Sequence, residues 1–408
     1  MRILNVTQSY YPFQDRGGPA LKVRSISRAL VKREHSVTVL TADLGFAAQQ
    51  VESVGAVRGG LGWAANLDGV EAIYLNTRGR YRSLTVNPGV LGFCRQRLRE
   101  FDLVHIYGLY DLLGPAVARY CRLLGIPYFV EPLGMTRPID RGFALKKLWH
   151  RLFGSHLEQA GRLIATSELE KEELLACGFP SHAVLLRYNG IDSDEFNALP
   201  QAGSFRRQHG VCAEERLVLF LGRLIPRKGA DLLIEALPQI ESGLSISQNT
   251  LVIAGPEGET GYLAFLQDKA RALGVEDRVR FLGPLYADDK NRAMVDADVF
   301  VLPSRYENFG NTAAEAIACG TPAIVSDHCG IAPLIHQRAG LVTQYDSAAI
   351  AGTLNQLLGD RVLYERLKSG CAPVAAEIAW DKLVEDMEVS YEDAVGSYSP
   401  FRTAVLVA

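Results

Sequence analysis

Two carboxylates eight positions apart, Glu307 and Glu315, flank the run Asn308-Phe309-Gly310-Asn311-Thr312-Ala313-Ala314, which follows the apolar strand Asp298–Leu302 and the turn Pro303-Ser304. The first sits in a loop, the second in the opening turn of a helix that continues through Ala316, Ile317 and Ala318. Such a loop aims backbone N–H groups and the positive end of the helix dipole at its ligand, which suits an anionic or hydroxyl-rich molecule. Paired acceptors fit sugar and ribose hydroxyls. The same letters also permit a local reading, because Thr312-x-x-Glu315 is a literal capping box. Glu307 and Asn308 precede the helix, where capping does not require them.

A second constellation opens the same half of the chain. The strand Leu217–Leu221 runs into Gly222-Arg223-Leu224-Ile225-Pro226-Arg227-Lys228-Gly229, with a helix expected from about Ala230. Glycines at both ends allow close backbone approach, and Arg223 and Lys228 can reach a diphosphate at the carboxyl edge of a parallel sheet. Fixed cations there would stabilise a departing nucleotide diphosphate as its charge develops, which is otherwise a metal's work. The alternative is that one or another of these side chains, Arg227 above all, is simply exposed on its loop. Near the start, Arg16-Gly17-Gly18-Pro19 forms a turn that phosphate can approach, but the three-glycine dinucleotide fingerprint is absent, which counts against a nicotinamide enzyme.

No metal site is expected. Asp192-Ser193-Asp194 and Asp296-Ala297-Asp298 read as turn and cap residues, the first in a linker and the second before a buried strand. The seven cysteines, Cys94, Cys121, Cys177, Cys212, Cys319, Cys329 and Cys371, show no C-x-x-C pair and read as small hydrophobes in a reducing compartment.

These residues need two domains to position them. A chain of 408 residues exceeds one ordinary core, and 48% hydrophobic with 22% charged residues describes a globular protein. Short apolar strands alternate with helix-length segments, the pattern of parallel sheets covered on both faces. The first series comprises Ile3–Val6, Val37–Thr41, Leu103–Ile106, Tyr128–Val130, Leu163–Ala165 and Val184–Leu186, with a helix from about Pro19 to Arg33. It restarts at Leu217–Leu221, Leu251–Ala254, Val279–Leu282, Val299–Leu302 and Ala323–Val325. The expected organisation is a first domain over 1–195, a joint within 191–215, a second domain over 210–378, and a last helix over 379–400, opened by Trp380-Asp381-Lys382. A ligand cleft is expected to face the carboxyl ends of both sheets.

Charge is unevenly distributed. Residues 1–165 hold 22 Lys and Arg against 12 Asp and Glu, and the remainder holds 21 against 34. A basic first half fits an anionic partner, either a membrane surface or a phosphorylated acceptor. Around Phe143–Leu157, Ala144, Leu145, Leu148, Trp149, Leu152 and Phe153 share one helical face, with Lys146, Lys147, His150 and Arg151 opposite. That helix either packs on its own sheet or contacts anionic lipid. No uncharged apolar run reaches the roughly 18 residues of a membrane span, and Met1-Arg2-Ile3-Leu4-Asn5-Val6 enters a strand without a signal-peptide core. The expected location is the cytoplasm, with peripheral contact at the inner face of the membrane.

The order of landmarks resembles the group 1, or family 4, retaining glycosyltransferases along essentially the whole chain. The matching stretches are Gly17-Gly18, Asp102-Leu103-Val104-His105, Thr166-Ser167-Glu168, Asn189-Gly190-Ile191-Asp192, Gly222-Arg223-Leu224 with Lys228-Gly229, Asp298–Ser304, Glu307–Glu315, and Ala318-Cys319-Gly320-Thr321-Pro322. The resemblance implies the GT-B fold, an α/β architecture of two doubly wound Rossmann-like parallel-sheet domains facing a central cleft. It implies Arg223 and Lys228 on the donor diphosphate, Gly18 near the phosphates, Glu315 on the ribose, and Glu307 with the Asn308–Asn311 backbone along the donor sugar. The implied reaction is hexosyl transfer from a nucleotide diphosphate sugar to a saccharide or lipid-linked saccharide, with retention of configuration, no metal or other cofactor, and no nucleic acid. His105 is expected either to help activate the acceptor or to be a strand-end histidine satisfied by its neighbours. Two departures stand out: Tyr107 replaces a second histidine, and Cys329-Gly330-Ile331-Ala332-Pro333 replaces a stretch that commonly carries a glutamate. Rival readings are a nucleotide-sugar epimerase of similar shape and a non-catalytic donor-binding subunit.

Overall fold

The computed structural model describes residues 1–13, 18–81, 84–136, 143–240 and 249–405. The chain divides into two compact units, one formed by Met1–Asn189 together with the segment from Trp380 onward, the other by Gly190–Ala379. Each half of the sequence that reads as a series of apolar strands thus builds its own sheet.

In the first unit, β1 (Arg2–Thr7), β2 (Ser36–Ala42), β3 (Val57–Arg58), β4 (Gly62–Leu67) and β5 (Val70–Leu75) precede a small ribbon of β6 (Gly79–Tyr81) and β7 (Leu84–Val86). They are followed by β8 (Leu103–Tyr107), β9 (Tyr128–Glu131), β10 (Arg162–Ala165) and β11 (Val184–Leu186). The main sheet runs β11-β10-β9-β8-β1-β2-β5-β4-β3, parallel from β11 through β5, with β4 and β3 antiparallel at the edge. Strand alternation sorts its side chains onto two faces. Leu4 and Val6 point into one core with Phe93, Val117 and Cys121. Ile3 points into the other with Val23, Ile26, Trp380, Val384, Met387 and Tyr391. The C-terminal helix Trp380–Val405 therefore closes one face of the first sheet, beside the helix Gly18–Lys32.

The second unit is all parallel. Its strands β12 (Arg216–Leu221), β13 (Asn249–Ala254), β14 (Val279–Gly283), β15 (Val299–Leu302), β16 (Ala323–Ser326) and β17 (Gly340–Thr343) lie in the order β14-β13-β12-β15-β16-β17. Most are buried on both faces, which is why they read as continuous apolar runs. The order reverses between β12 and β15, so the loops leaving these two strands stand side by side at the switch point, where open parallel sheets bind ligands.

The helix expected around Phe143–Leu157 spans Phe143–Phe153, and its apolar side is split. Trp149 is buried and donates from Nε1 to the Asp111 carbonyl at 3.1 Å, whereas Leu148 and Leu152 stay 51% and 62% exposed. No described helix is long and apolar enough to cross a membrane.

Candidate active site

The loop after β12 is built on its glycines and short helical turn. Gly222 follows the end of β12, its amide donating to the Ala254 carbonyl at 3.0 Å, Pro226–Lys228 make one 3-10 turn, and Gly229 has φ +73°. A Cβ on Gly229 would stand 2.2 Å from the Pro303 carbonyl oxygen, so a side chain is excluded by both conformation and space. That contact sets the loop against the one leaving β15. The Arg305 amide donates to the Arg227 carbonyl at 2.8 Å, joining the two loops directly.

The Glu307 loop is strapped from its other side. The Glu307 amide donates to the His328 carbonyl at 3.0 Å, the Gly330 amide to the Glu307 carbonyl at 2.9 Å, and the Ile331 amide to the Phe309 carbonyl at 2.7 Å. The Cys329-Gly330-Ile331 stretch, a departure from the family pattern, thus serves here as a backbone brace. Phe309 is buried, and Gly310, at φ +109°, leaves a Cβ position 2.8 Å from Cys329 Sγ. The helix Asn311–Ala318 starts from that glycine.

Two ion pairs occupy the mouth of this frame. The Lys228 ammonium contacts Glu307 Oε2, with side chains 15% and 21% exposed. Lys290, on the helix Ala287–Asp296, places Nζ 2.9 Å from Glu315 Oε2, with side chains 18% and 23% exposed. The capping-box reading of Thr312-x-x-Glu315 is not what forms: Gly310 is the cap residue, no side chain caps the helix, and Thr312 lies inside it. Glu315 turns to a lysine from another helix. The Arg223 side chain is exposed and makes no ion pair or hydrogen bond among the described residues, while its carbonyl accepts from the Ile225 amide at 3.1 Å and Arg227 is half-buried. Arg223, Lys228, Glu307, Asn308, Phe309, Gly310, Asn311, Thr312 and Glu315 all belong to these two loops and the helix that follows.

The other two site residues lie in the first unit. Gly18 is the exposed first residue of its helix, and Gly17 lies outside the described residues. His105 is wholly buried on β8. Its Nδ1 is 2.5 Å from the Tyr391 hydroxyl, its ring stacks on Tyr107 at 4.1 Å, and Glu131 Oε2 is 3.8 Å from its Nε2. Burial, with the Arg187 and Lys22 cations nearby, holds its pKa well below the usual imidazole range, so the ring is neutral. Nδ1 thus has a partner while Nε2 is buried without a hydrogen bond, and the side chain has no exposed surface.

Around His105 is a cluster that the sequence reading did not anticipate. Glu131, at the end of β9, is fully buried between Lys22 and Arg187, and Lys22 also reaches Asn189 Oδ1. Trp380 lies under both cations, 5.9 Å from Lys22 and 5.1 Å from Arg187. Lys290 was likewise missed, since neither lysine belongs to a local motif.

Neither acid-x-acid triplet holds a metal-like arrangement. Asp192 caps a short turn by accepting from the Asp194 amide at 3.2 Å. Asp296 accepts from the Arg206 amide at 3.0 Å, and Asp298 pairs with Arg206 and Arg216 at 2.7 and 2.9 Å. Among the described residues no group of three or more His, Cys, Asp and Glu side chains could hold a metal ion.

Residues 202–370 match the family described as Glycosyl transferases group 1, and residues 17–190 match the Glycosyl transferase 4-like domain. Each half of the chain thus matches a glycosyltransferase model, and the two parallel-sheet units have the architecture of the GT-B fold. Both models describe glycosyl transferases, so sugar transfer is the general activity they support. An uncharacterized glycosyltransferase of Methanocaldococcus jannaschii is 28% identical over 97% of this chain and 99% of its own length. A D-inositol 3-phosphate glycosyltransferase of Jonesia denitrificans is 33% identical over 58% of each chain, so the match spans little more than half of that relative. The crystal structure of Anabaena HepE with UDP and glucose superposes with a TM-score of 0.73 at 21% identity, covering 96% of this chain and all of that one, which supports the fold.

Proposed function

We propose that this glycosyltransferase moves a hexosyl group, with retention and without a metal, from a nucleotide diphosphate sugar to a saccharide or lipid-linked saccharide in cell-surface polysaccharide synthesis. The observation that carries the reading is the joining of the two switch-point loops in the second unit, which sets Lys228 against Glu307 beside an exposed Arg223. Arg223 and Lys228 hold the donor diphosphate. Glu307 and the backbone of Asn308, Phe309, Gly310, Asn311 and Thr312 follow the donor sugar, and Glu315 takes the ribose. As the glycosidic bond breaks, charge accumulates on the diphosphate, and preorganised cations lower the barrier there. Same-face attack, with the leaving phosphate assisting acceptor deprotonation, keeps the anomeric configuration and asks nothing of a metal.

For the acceptor, the basic first 165 residues favour an anionic molecule or surface. Exposed Leu148 and Leu152, beside exposed Lys147 and Arg151, fit shallow contact with anionic lipid at the inner face of the cell membrane. The experiment incubates the protein with UDP- and GDP-hexoses and lipid-linked saccharides in chelator, and reads free nucleotide diphosphate and product anomer by NMR. Acceptor-dependent release with a retained anomer is expected. Release that requires a divalent ion, or inversion at the anomeric carbon, would overturn the reading.

A further inference from the structure

Glu315 has a partner that no local rule of its own helix supplies. Lys290 comes from the preceding helix, Ala287–Asp296, and its ammonium lies 2.9 Å from the carboxylate oxygen Oε2. The pair is about four-fifths buried, enough to be shielded from bulk water and open enough to meet a ligand. A glutamate side chain has three rotatable bonds, and a glutamate at the second turn of a short helix would otherwise sweep several directions. Holding Oε2 fixes the carboxylate plane and leaves Oε1 to accept a further hydrogen bond.

We infer that Lys290 is a positioning residue for donor recognition, which locks Glu315 so that its second oxygen accepts from a ribose hydroxyl of the nucleotide. This rests on the proposal that Glu315 faces the ribose. The lysine does not touch the nucleotide; it acts through the carboxylate. A lysine serving only to join two helices would affect all nucleotides alike. A positioning lysine affects those with a ribose hydroxyl more than those without.

The test measures binding of UDP and GDP, and of their 2′-deoxy and 3′-deoxy forms, by calorimetry to wild type, Lys290→Met, Lys290→Arg and Glu315→Ala, with thermal unfolding of each. For whichever base binds, wild type is expected to favour the ribonucleotide over at least one deoxy form by about tenfold, the value of a hydrogen bond to a charged group. Lys290→Met should shrink that ratio toward one while unfolding cooperatively, Lys290→Arg should restore part of it, and Glu315→Ala should abolish it. If Lys290→Met keeps the full ratio while Glu315→Ala loses it, the positioning role is wrong and the donor reading stands. If Glu315→Ala keeps the ratio too, both fall. Should Lys290→Met fail to fold, Lys290→Gln, which retains length and a donor without charge, carries the same comparison.

Discussion

Both units of the molecule bring lysine to glutamate, and they do so in opposite ways. In the first, Glu131 is fully enclosed with Lys22 and Arg187 over the Trp380 ring, and every member is buried. In the second, Lys228–Glu307 and Lys290–Glu315 keep between 15% and 23% of each side chain exposed at the mouth of a loop frame. A buried ion set cannot surrender a partner without stranding a charge in low dielectric. A half-buried pair can exchange one partner for a ligand's phosphate or hydroxyl at modest cost. The difference fits a structural role for the first set and the proposed donor site at the second.

The sharpest way to break this comparison is to remove the shared carboxylate of the first unit. Glu131→Ala leaves Lys22 and Arg187 buried without their counter-charge and should destabilise the protein by about 3–5 kcal/mol, read by urea unfolding. A loss below about 1 kcal/mol would mean that water reaches the cluster.

The next effect falls on the backbone that frames the exchangeable pairs. Gly229→Ala forces a Cβ toward the Pro303 carbonyl at positive φ and should cost about 1–3 kcal/mol, with donor affinity falling as well. Unchanged donor affinity would show that the spacing of the two loops does not set the site.

A pH series sharpens the comparison further. Burial depresses His156 to about 4, and burial with the neighbouring cations draws His105 well below its ordinary range. The unfolded chain, with histidines near 6.5, therefore binds more protons than the folded one below that pH. Stability should be full above about pH 6.5 and fall between there and about pH 4. His156→Asn should flatten that slope, and an unchanged slope would place the acid sensitivity in other groups.

The smallest stability effect is expected where the functional effect is greatest. Lys228→Ala should move unfolding by no more than about 1 kcal/mol, because its pair is partly solvated. A loss of several kcal/mol would make Lys228–Glu307 as structural as the first unit's cluster.

Much of this was legible in the sequence. Unbroken apolar strands such as Leu217–Leu221 and Val299–Leu302 announce a parallel sheet buried on both faces, and the restart of the series announces two sheets. The strands β3 and β4 escape because Gly59-Gly60, Trp63 and Asn66 mark an edge with one wet face, where alternation is weak. Strand β17, Gly340–Thr343, has only Leu341 and Val342 as apolar residues, so it does not stand out. The two loops were found because glycine, lysine and glutamate cluster there in sequence. Glu131, Lys22 and Arg187 were not, because each is a single charge on a different element, the end of β9, the helix Gly18–Lys32 and the residue after β11, and only the fold brings them together. The capping-box pattern misleads for a related reason: Thr312 and Glu315 have the right spacing, but Gly310 starts the helix and Lys290 claims the carboxylate.

The central claim is that Arg223 and Lys228 receive a diphosphate without help from a metal. Calorimetric titration of UDP and GDP in excess chelator, on wild type and on Arg223→Ala with Lys228→Ala, tests it most directly. One nucleotide should bind the wild type in chelator, and the double variant should lose about a hundredfold or more in affinity, two charge-assisted contacts' worth. Binding that disappears in chelator and returns with magnesium, or that survives in the double variant, would contradict it.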